Sequence, residues 1–205
     1  MNTIVYSEKE IKCVCWDFDY TILTVHTGGI VQDFIGEDGM REKMSYLASQ
    51  VSPSFIKQFV YFFSKGVKQC VVTFGDSSFN TEFDDKNKRR VSGDKLVKMV
   101  FEAYVQKEGL NLPENVKKAL IEMVVFGFLP DWRKNNSSTD EEKEKWRLNN
   151  NKNIHLEMSM KTFNVNNSEI ILIDDDLRNI NCAKASGFNT IHVSTAGYTS
   201  FCELV

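Results

Sequence analysis

An unbroken apolar run, Ile170-Ile171-Leu172-Ile173, ends on three consecutive aspartates, Asp174-Asp175-Asp176. A short apolar run bounded in this way reads as a strand buried on both faces. A second acidic pair, Asp17 and Asp19, closes another such run, Val14-Cys15-Trp16. Carboxylates collected at the ends of buried strands repel one another strongly, because the local dielectric is low. They tolerate one another when a divalent cation sits among the oxygens, and hard oxygen donors suit Mg²⁺. If those two strands are neighbours, four carboxylates converge on one crevice.

Five apolar runs have the length and boundaries of buried parallel strands: 12–16, 70–74, 123–128, 169–173 and 189–193. Helical patterns fill the intervals. Phe55, Ile56, Phe59, Val60, Phe62 and Phe63 recur at helical spacing, with Ser52-Pro53 as a start signal and Gly66 as a stop. Leu96, Val97, Val100, Phe101 and Tyr104 form a second stripe, begun near Ser92 and stopped near Gly109. Pro113 opens a third helix toward Leu120, 154–162 has helical spacing, and 177–186 forms another helix ended by Gly187. Strands alternating with helices imply right-handed crossovers and a sheet covered on both faces. The fold class is α/β: one domain over 1–205, built on a doubly wound, mostly parallel five-stranded sheet.

A net charge of −3 and a pI near 5.7 argue against a nucleic-acid partner. The basic run Lys86-Asn87-Lys88-Arg89-Arg90 directly follows Asp84-Asp85 and reads as a solvated loop. No run approaches transmembrane length, and the first residues lack the apolar stretch of a signal peptide, so no membrane partner is expected. Five cysteines without metal-like spacing point to a reducing, cytoplasmic setting; Cys13 and Cys15 share a strand face, and Cys70 reads as a small core residue. Three scattered histidines give no zinc pattern. His26 falls where it can line an entrance, whereas His155 and His192 fall within a helix and a strand.

In an open α/β sheet, ligands sit beyond the carboxyl ends of the strands, where strand order reverses. Asp17 and Asp19 lie just past one strand on the same side, with Phe18 pointing away. Asp174 and Asp175 lie past another, and Asp176 is placed to cap the following helix. Thr73 offers a hydroxyl at the end of Cys70-Val71-Val72, and Lys152 offers an ammonium before the 154–162 helix.

The motif Asp17-Phe18-Asp19-Tyr20-Thr21 resembles the DxDxT motif of the haloacid dehalogenase-like phosphohydrolases. Val71-Val72-Thr73 is similar to that family's second motif and Ile171-Leu172-Ile173-Asp174-Asp175 to its fourth. Tyr20 and the run from Asp174 to Ile180 resemble the magnesium-dependent phosphatase branch most. The resemblance runs in motif order over nearly the whole chain. It implies a Rossmann-like core and a Mg²⁺-dependent phosphomonoester hydrolase. Asp17 is then the nucleophile, Asp19 the acid and base, Thr73 a phosphoryl hydrogen-bond donor and Lys152 the charge-neutralising lysine. Mg²⁺ is held by Asp17, the carbonyl of Asp19, Asp174 and Asp175. The lysine has rivals in Lys161, Lys145 and Lys134. Thr21 supports the first-motif loop through a local hydrogen bond, and the amides after Gly75 help hold phosphate.

Between Thr73 and Lys152 lie about eighty residues, roughly twice what a helix, a strand and a turn need. The surplus is a helical and polar elaboration around 79–120 and 131–151, the second part reading as a polar surface segment with one helical turn near Trp146. The interval between Thr21 and Ser52 is too short for a full helical cap, and Gly28-Gly29 and Gly36 suit a flap. A small or absent cap leaves an open site, suited to a phosphoprotein side chain such as phosphotyrosine. A small phosphorylated metabolite, sugar phosphate or nucleotide, is the alternative substrate. A binding protein that has lost turnover is the non-enzymatic rival, disfavoured by the presence of both Asp17 and Asp19. The residues leave oligomeric state open.

Overall fold

The computed structural model describes residues 5–6, 9–28, 30–31, 36–76, 78, 80–81, 89–128 and 151–193. The expectations for 131–150, including Trp146, Lys134 and Lys145, lie outside the described residues, as do 82–88. A short antiparallel pair, β1 (Val5–Tyr6) and β2 (Lys9–Glu10), precedes the main sheet.

The first sheet strand, β3 (Cys13–Trp16), is buried along its whole length. After it come β4 (Ile30–Val31), helix α1 (Gly36–Ser49) and helix α2 (Pro53–Ser64). Strand β5 (Lys68–Thr73), the short β6 (Val91–Ser92), α3 (Gly93–Lys107), α4 (Glu114–Ile121) and β7 (Val124–Gly127) follow. The chain finishes with α5 (Asn153–Phe163), β8 (Ile170–Asp174), α6 (Leu177–Ala185) and β9 (Asn189–His192). The five long strands run parallel in the order β7-β5-β3-β8-β9. All five lie where the apolar runs place them, with ends differing by one or two residues.

Strand parity divides the core. Val14, Trp16, Val71, Ile171 and Ile173 point to one face, covered by α1 to α4. Cys13, Cys15, Cys70, Val72 and Leu172 point to the other, covered by α5 and α6. From β3 the chain winds outward to β5 and β7 over the first face, then returns over the second face to β8 and β9. Strand order thus reverses between β3 and β8.

Helix α2 shows why the sequence folds this way locally. Ser52 caps it by accepting from the Phe55 N–H, Pro53 occupies its first turn, and Phe55, Phe59 and Phe62 are buried. Trp16 meets Phe55 edge-on, with centroids 5.1 Å apart, an arrangement worth about 1 kcal/mol beyond area burial. The indole N–H donates to Gln69 Oε1 at 3.0 Å, and the Gln69 amide donates to the Phe59 carbonyl at 3.0 Å. The polar atom that Trp16 carries into the core is therefore satisfied.

Helix α1 departs from the sequence reading. Of the flap expected around Gly28-Gly29 and Gly36, the described residues include the turn at Gly28 and β4, which pairs antiparallel with β6; 29 and 32–35 lie outside them. Gly36, at φ +68°, opens a fourteen-residue helix whose Met40, Met44 and Leu47 pack toward α3. The polar residues 41–43 and 45–46 obscure that stripe in sequence. Among the described residues, no helix is long and apolar enough to cross a membrane.

Candidate active site

Register brings the acids together. Trp16 pairs with Ile173 in adjacent parallel strands, and the Asp17 amide donates to the Ile173 carbonyl at 2.9 Å. Asp17 and Asp174 are therefore neighbours at the point where strand order reverses. The carboxylates of Asp17, Asp174 and Asp175 offer oxygens within 4.8 Å of one another. At an effective dielectric near 20, each such pair repels by about 3 kcal/mol. Burial pushes the Asp17 carboxyl well above its ordinary range; the Lys152 charge opposes the shift, and Asp174 and Asp175 add to it. Asp175 is raised too, by burial and by Asp174.

Lys152 is the cation placed among these acids. It precedes the first turn of α5, is 2% exposed, and its Nζ lies 2.9 Å from Asp174 Oδ2 while also bonding Asp17 Oδ1. Burial works against its charge, but the two carboxylates outweigh that cost and raise its pKa. Lys161 lies on the same helix and is exposed.

Among the described residues, one ammonium against three carboxylates leaves two negative charges, the magnitude that a single divalent ion offsets. Octahedral Mg²⁺–O contacts of about 2.0–2.1 Å keep bound oxygens within roughly 4.2 Å of one another. Oxygens already within 4.8 Å of one another come onto one ion through side-chain rotation. The donor set thus fits a hard cation.

Beyond Trp16 the chain leaves the sheet in a wide, π-type turn over Phe18–Ile22, with Tyr20 in the left-handed region at φ +56°. This turn buries Phe18 in the core and directs Asp19 into the crevice that Asp17 also lines. Asp19 stands outside the three-carboxylate cluster. Its Oδ1 accepts from both the amide and the hydroxyl of Thr27, at 3.0 and 2.7 Å, and His26 Nε2 lies 3.8 Å from Oδ2. Thr21 does not make the expected local bond: its hydroxyl is buried and has no hydrogen-bond partner among the described residues.

Thr73 closes β5 at the crevice edge, and its Oγ1 accepts from the Gly75 amide at 3.2 Å, leaving the hydroxyl hydrogen for an incoming oxygen. His155, buried one turn into α5, faces the carbonyls of Thr73 and Phe128 at 3.1 and 3.2 Å. Its Nε2 must therefore carry the hydrogen. The ring also stacks on Phe128 at 4.1 Å, so it fixes the ends of β5 and β7 against the helix bearing Lys152.

Asp176 caps α6 by accepting from the Arg178 amide at 2.8 Å, and it pairs with the Arg178 guanidinium at 2.8 Å. Burial raises the Asp176 carboxyl, but Arg178 outweighs it and holds the pKa below the ordinary value. Two supporting residues were not assigned from the sequence. Thr27 holds Asp19, and Asn179 reaches back to Asp174. The five-residue offset of Asn179, one turn into the helix after the acids, is the signal that points to it.

The crevice encloses about 320 Å³ and includes Asp17, Asp19, Thr73, Lys152, Asp174 and Asp175 in its wall. No residue of α1, α3 or α4 lines it.

No family model matches the chain, and no curated protein matches it. Among solved structures it is similar to the N-terminal part of a Bacteroides fragilis protein containing a phosphatase domain, complexed with Mg. That likeness has a TM-score of 0.54 at 15% identity and covers 96% of this chain but 40% of the other. A predicted HAD-like family hydrolase from Porphyromonas gingivalis aligns over 95% of this chain and 97% of its own, at 10% identity and TM-score 0.47, too loosely to argue from. At these identities the likeness is one of architecture: the chain has the doubly wound α/β fold of the magnesium-bound Bacteroides structure, and spans two fifths of that structure's length.

Proposed function

We infer that the chain is a Mg²⁺-dependent phosphomonoester hydrolase working through an aspartyl-phosphate. The observation that carries this reading is the meeting of buried Asp17, Asp174 and Lys152 with half-buried Asp175 at the sheet's reversal point, with Asp19 separately tethered beside it. Asp17, Asp174, Asp175 and the Asp19 carbonyl would hold Mg²⁺, which when bound offsets repulsion between the nucleophile and a phosphate dianion.

The chain's own groups divide the remaining work. A carboxylate oxygen of Asp17 attacks phosphorus, and the bond from phosphorus to the ester oxygen breaks. Protonated Asp19 gives its proton to that leaving oxygen, then takes one from the water that attacks the phosphoryl group. That second attack breaks the bond to Asp17 and releases inorganic phosphate. Lys152 and the Thr73 hydroxyl balance charge on the phosphoryl oxygens. The tether to Thr27 explains how Asp19 stays close to Asp17 without joining its charge cluster.

For the substrate, the absence of α1, α3 and α4 from the crevice wall supports access by a group on a larger molecule, a phosphoprotein. Exposed Tyr20 and His26 lie with rings 5.4 Å apart beside Asp19, which suits an aromatic leaving group such as that of phosphotyrosine. A phosphorylated metabolite is the second reading, favoured by the polar wall of the crevice.

Release of phosphate from p-nitrophenyl phosphate, with and without Mg²⁺, tests the reaction. Wild type turns over with Mg²⁺ and Asp17→Asn does not. Equal rates for the two would leave a binding protein as the better description. A panel of phosphopeptides and phosphorylated metabolites then separates the substrate classes.

A further inference from the structure

Cys13, Cys15 and Cys70 take no part in the reaction above, yet the sheet gathers their sulfurs. Cys13 and Cys15 share a face of β3, and Cys70 on β5 is the register partner of Cys15. All three are free thiols, and their Sγ atoms lie within 4.8 Å of one another. The Cys15 and Cys70 sulfurs are already 3.5 Å apart. From α5, Ser159 Oγ approaches Cys70 Sγ at 3.5 Å, and its hydrogen is directed to the His155 carbonyl at 2.9 Å. The oxygen therefore turns lone pairs rather than a proton toward the thiols.

We propose that Cys13, Cys15 and Cys70 form a binding site for a thiophilic divalent cation of the zinc class, with Ser159 Oγ available as a fourth donor. Thiolates about 2.3 Å from such an ion stand roughly 3.8 Å apart in a tetrahedral arrangement. Sulfurs within 4.8 Å reach that spacing through small side-chain rotations. Each ligating thiol gives its proton to solvent, each sulfur gains a bond to the ion, and no electron is transferred. Donor softness keeps this site apart from the carboxylate cluster: sulfur selects the zinc class, whereas the oxygens of Asp17, Asp174 and Asp175 suit Mg²⁺. The thiols are fully buried under α5, so uptake requires that helix to lift and is slow. Once bound, the ion cross-links β3 to β5 directly behind Asp17.

The full chain, reduced and then freed of thiol reagents, is titrated with Cd²⁺ in saturating Mg²⁺. Ultraviolet absorption reports thiolate-to-cadmium charge transfer, which carboxylates do not give, and the readout needs no turnover. One equivalent of Cd²⁺ develops the band in wild type and raises its melting temperature. Cys15→Ala and Cys70→Ala lose both effects, and Cys182→Ala keeps both. A variant that does not melt cooperatively is replaced by serine at the same position. Absence of the band in wild type after prolonged incubation overturns the proposal. So does its survival in Cys15→Ala and Cys70→Ala, or its loss in Cys182→Ala.

Discussion

Asn179 spans both oxygens of Asp174: its amide nitrogen lies 3.2 Å from Oδ1 and 3.1 Å from Oδ2. An ionised carboxylate only accepts, so the amide is locked in this orientation. Its own oxygen is buried without a hydrogen-bond partner among the described residues. The Asp176 amide adds a third donor to Asp174 Oδ1 at 2.8 Å. Groups of this kind, which orient a metal ligand, affect metal affinity by about 10–100-fold. Asn179→Leu is expected to weaken Mg²⁺ binding by that factor, read by calorimetry and by the Mg²⁺ dependence of turnover.

Removing Lys152 leaves buried Asp17 and Asp174 with no cation between them among the described residues. Breaking a buried pair in this way costs about 3–5 kcal/mol. Lys152→Ala should lose that much stability in urea titrations without metal, and added Mg²⁺ should restore part of it by binding the folded state. A variant as stable as wild type would show that the ammonium contributes nothing to folding.

The Lys152 pKa is raised in the folded protein. Its stabilisation is fully present below the unfolded value of about 10.5 and is lost as pH climbs toward the folded value. The stability gap between wild type and Lys152→Met should therefore stay level from about pH 7 to 10 and shrink above that range. A gap that widens in alkali would contradict the assignment.

Asp19 and its tether are separable. Asp19→Asn removes the acid and base, for an expected loss of about 10²–10⁴ in kcat. Thr27→Val removes the hydroxyl donor but keeps the backbone one, so kcat falls less. An unchanged kcat in Thr27→Val would mean that the 2.7 Å contact does not position Asp19 for the reaction.

Much of this arrangement was legible because its causes are local. The run from Ile170 to Asp174 announces a central strand ending in acids, and Ser52-Pro53 announces α2, since burial on two faces and a free helix end each demand particular residues. Lys152 was separable from Lys161 because it starts α5, which puts its side chain at the same sheet end as Asp17. The rest depends on contacts between distant segments. Cys13, Cys15 and Cys70 lack ligand-like spacing, because the strand ladder rather than the sequence interval brings Cys70 opposite Cys15. Helix α1 escaped notice because four well-spaced apolar residues among polar ones are a weak stripe, convincing only once α3 lies against it. The Thr21 bond failed because the turn after Trp16 is not a regular strand end, and it points that hydroxyl into the core.

The pairing of β3 with β8 joins residues from opposite ends of the chain; Lys12 and Glu169, at its margin, are 157 positions apart. Such a contact forms late in folding, because the long intervening loop must be closed before it is rewarded. During synthesis, Asp17 emerges from the ribosome long before Asp174, and β3 must wait with one edge uncovered. Nascent chains halted short of residue 170 would hold Asp17 but lack Asp174 and Asp175, so the carboxylate cluster is completed in a single step when β8 inserts.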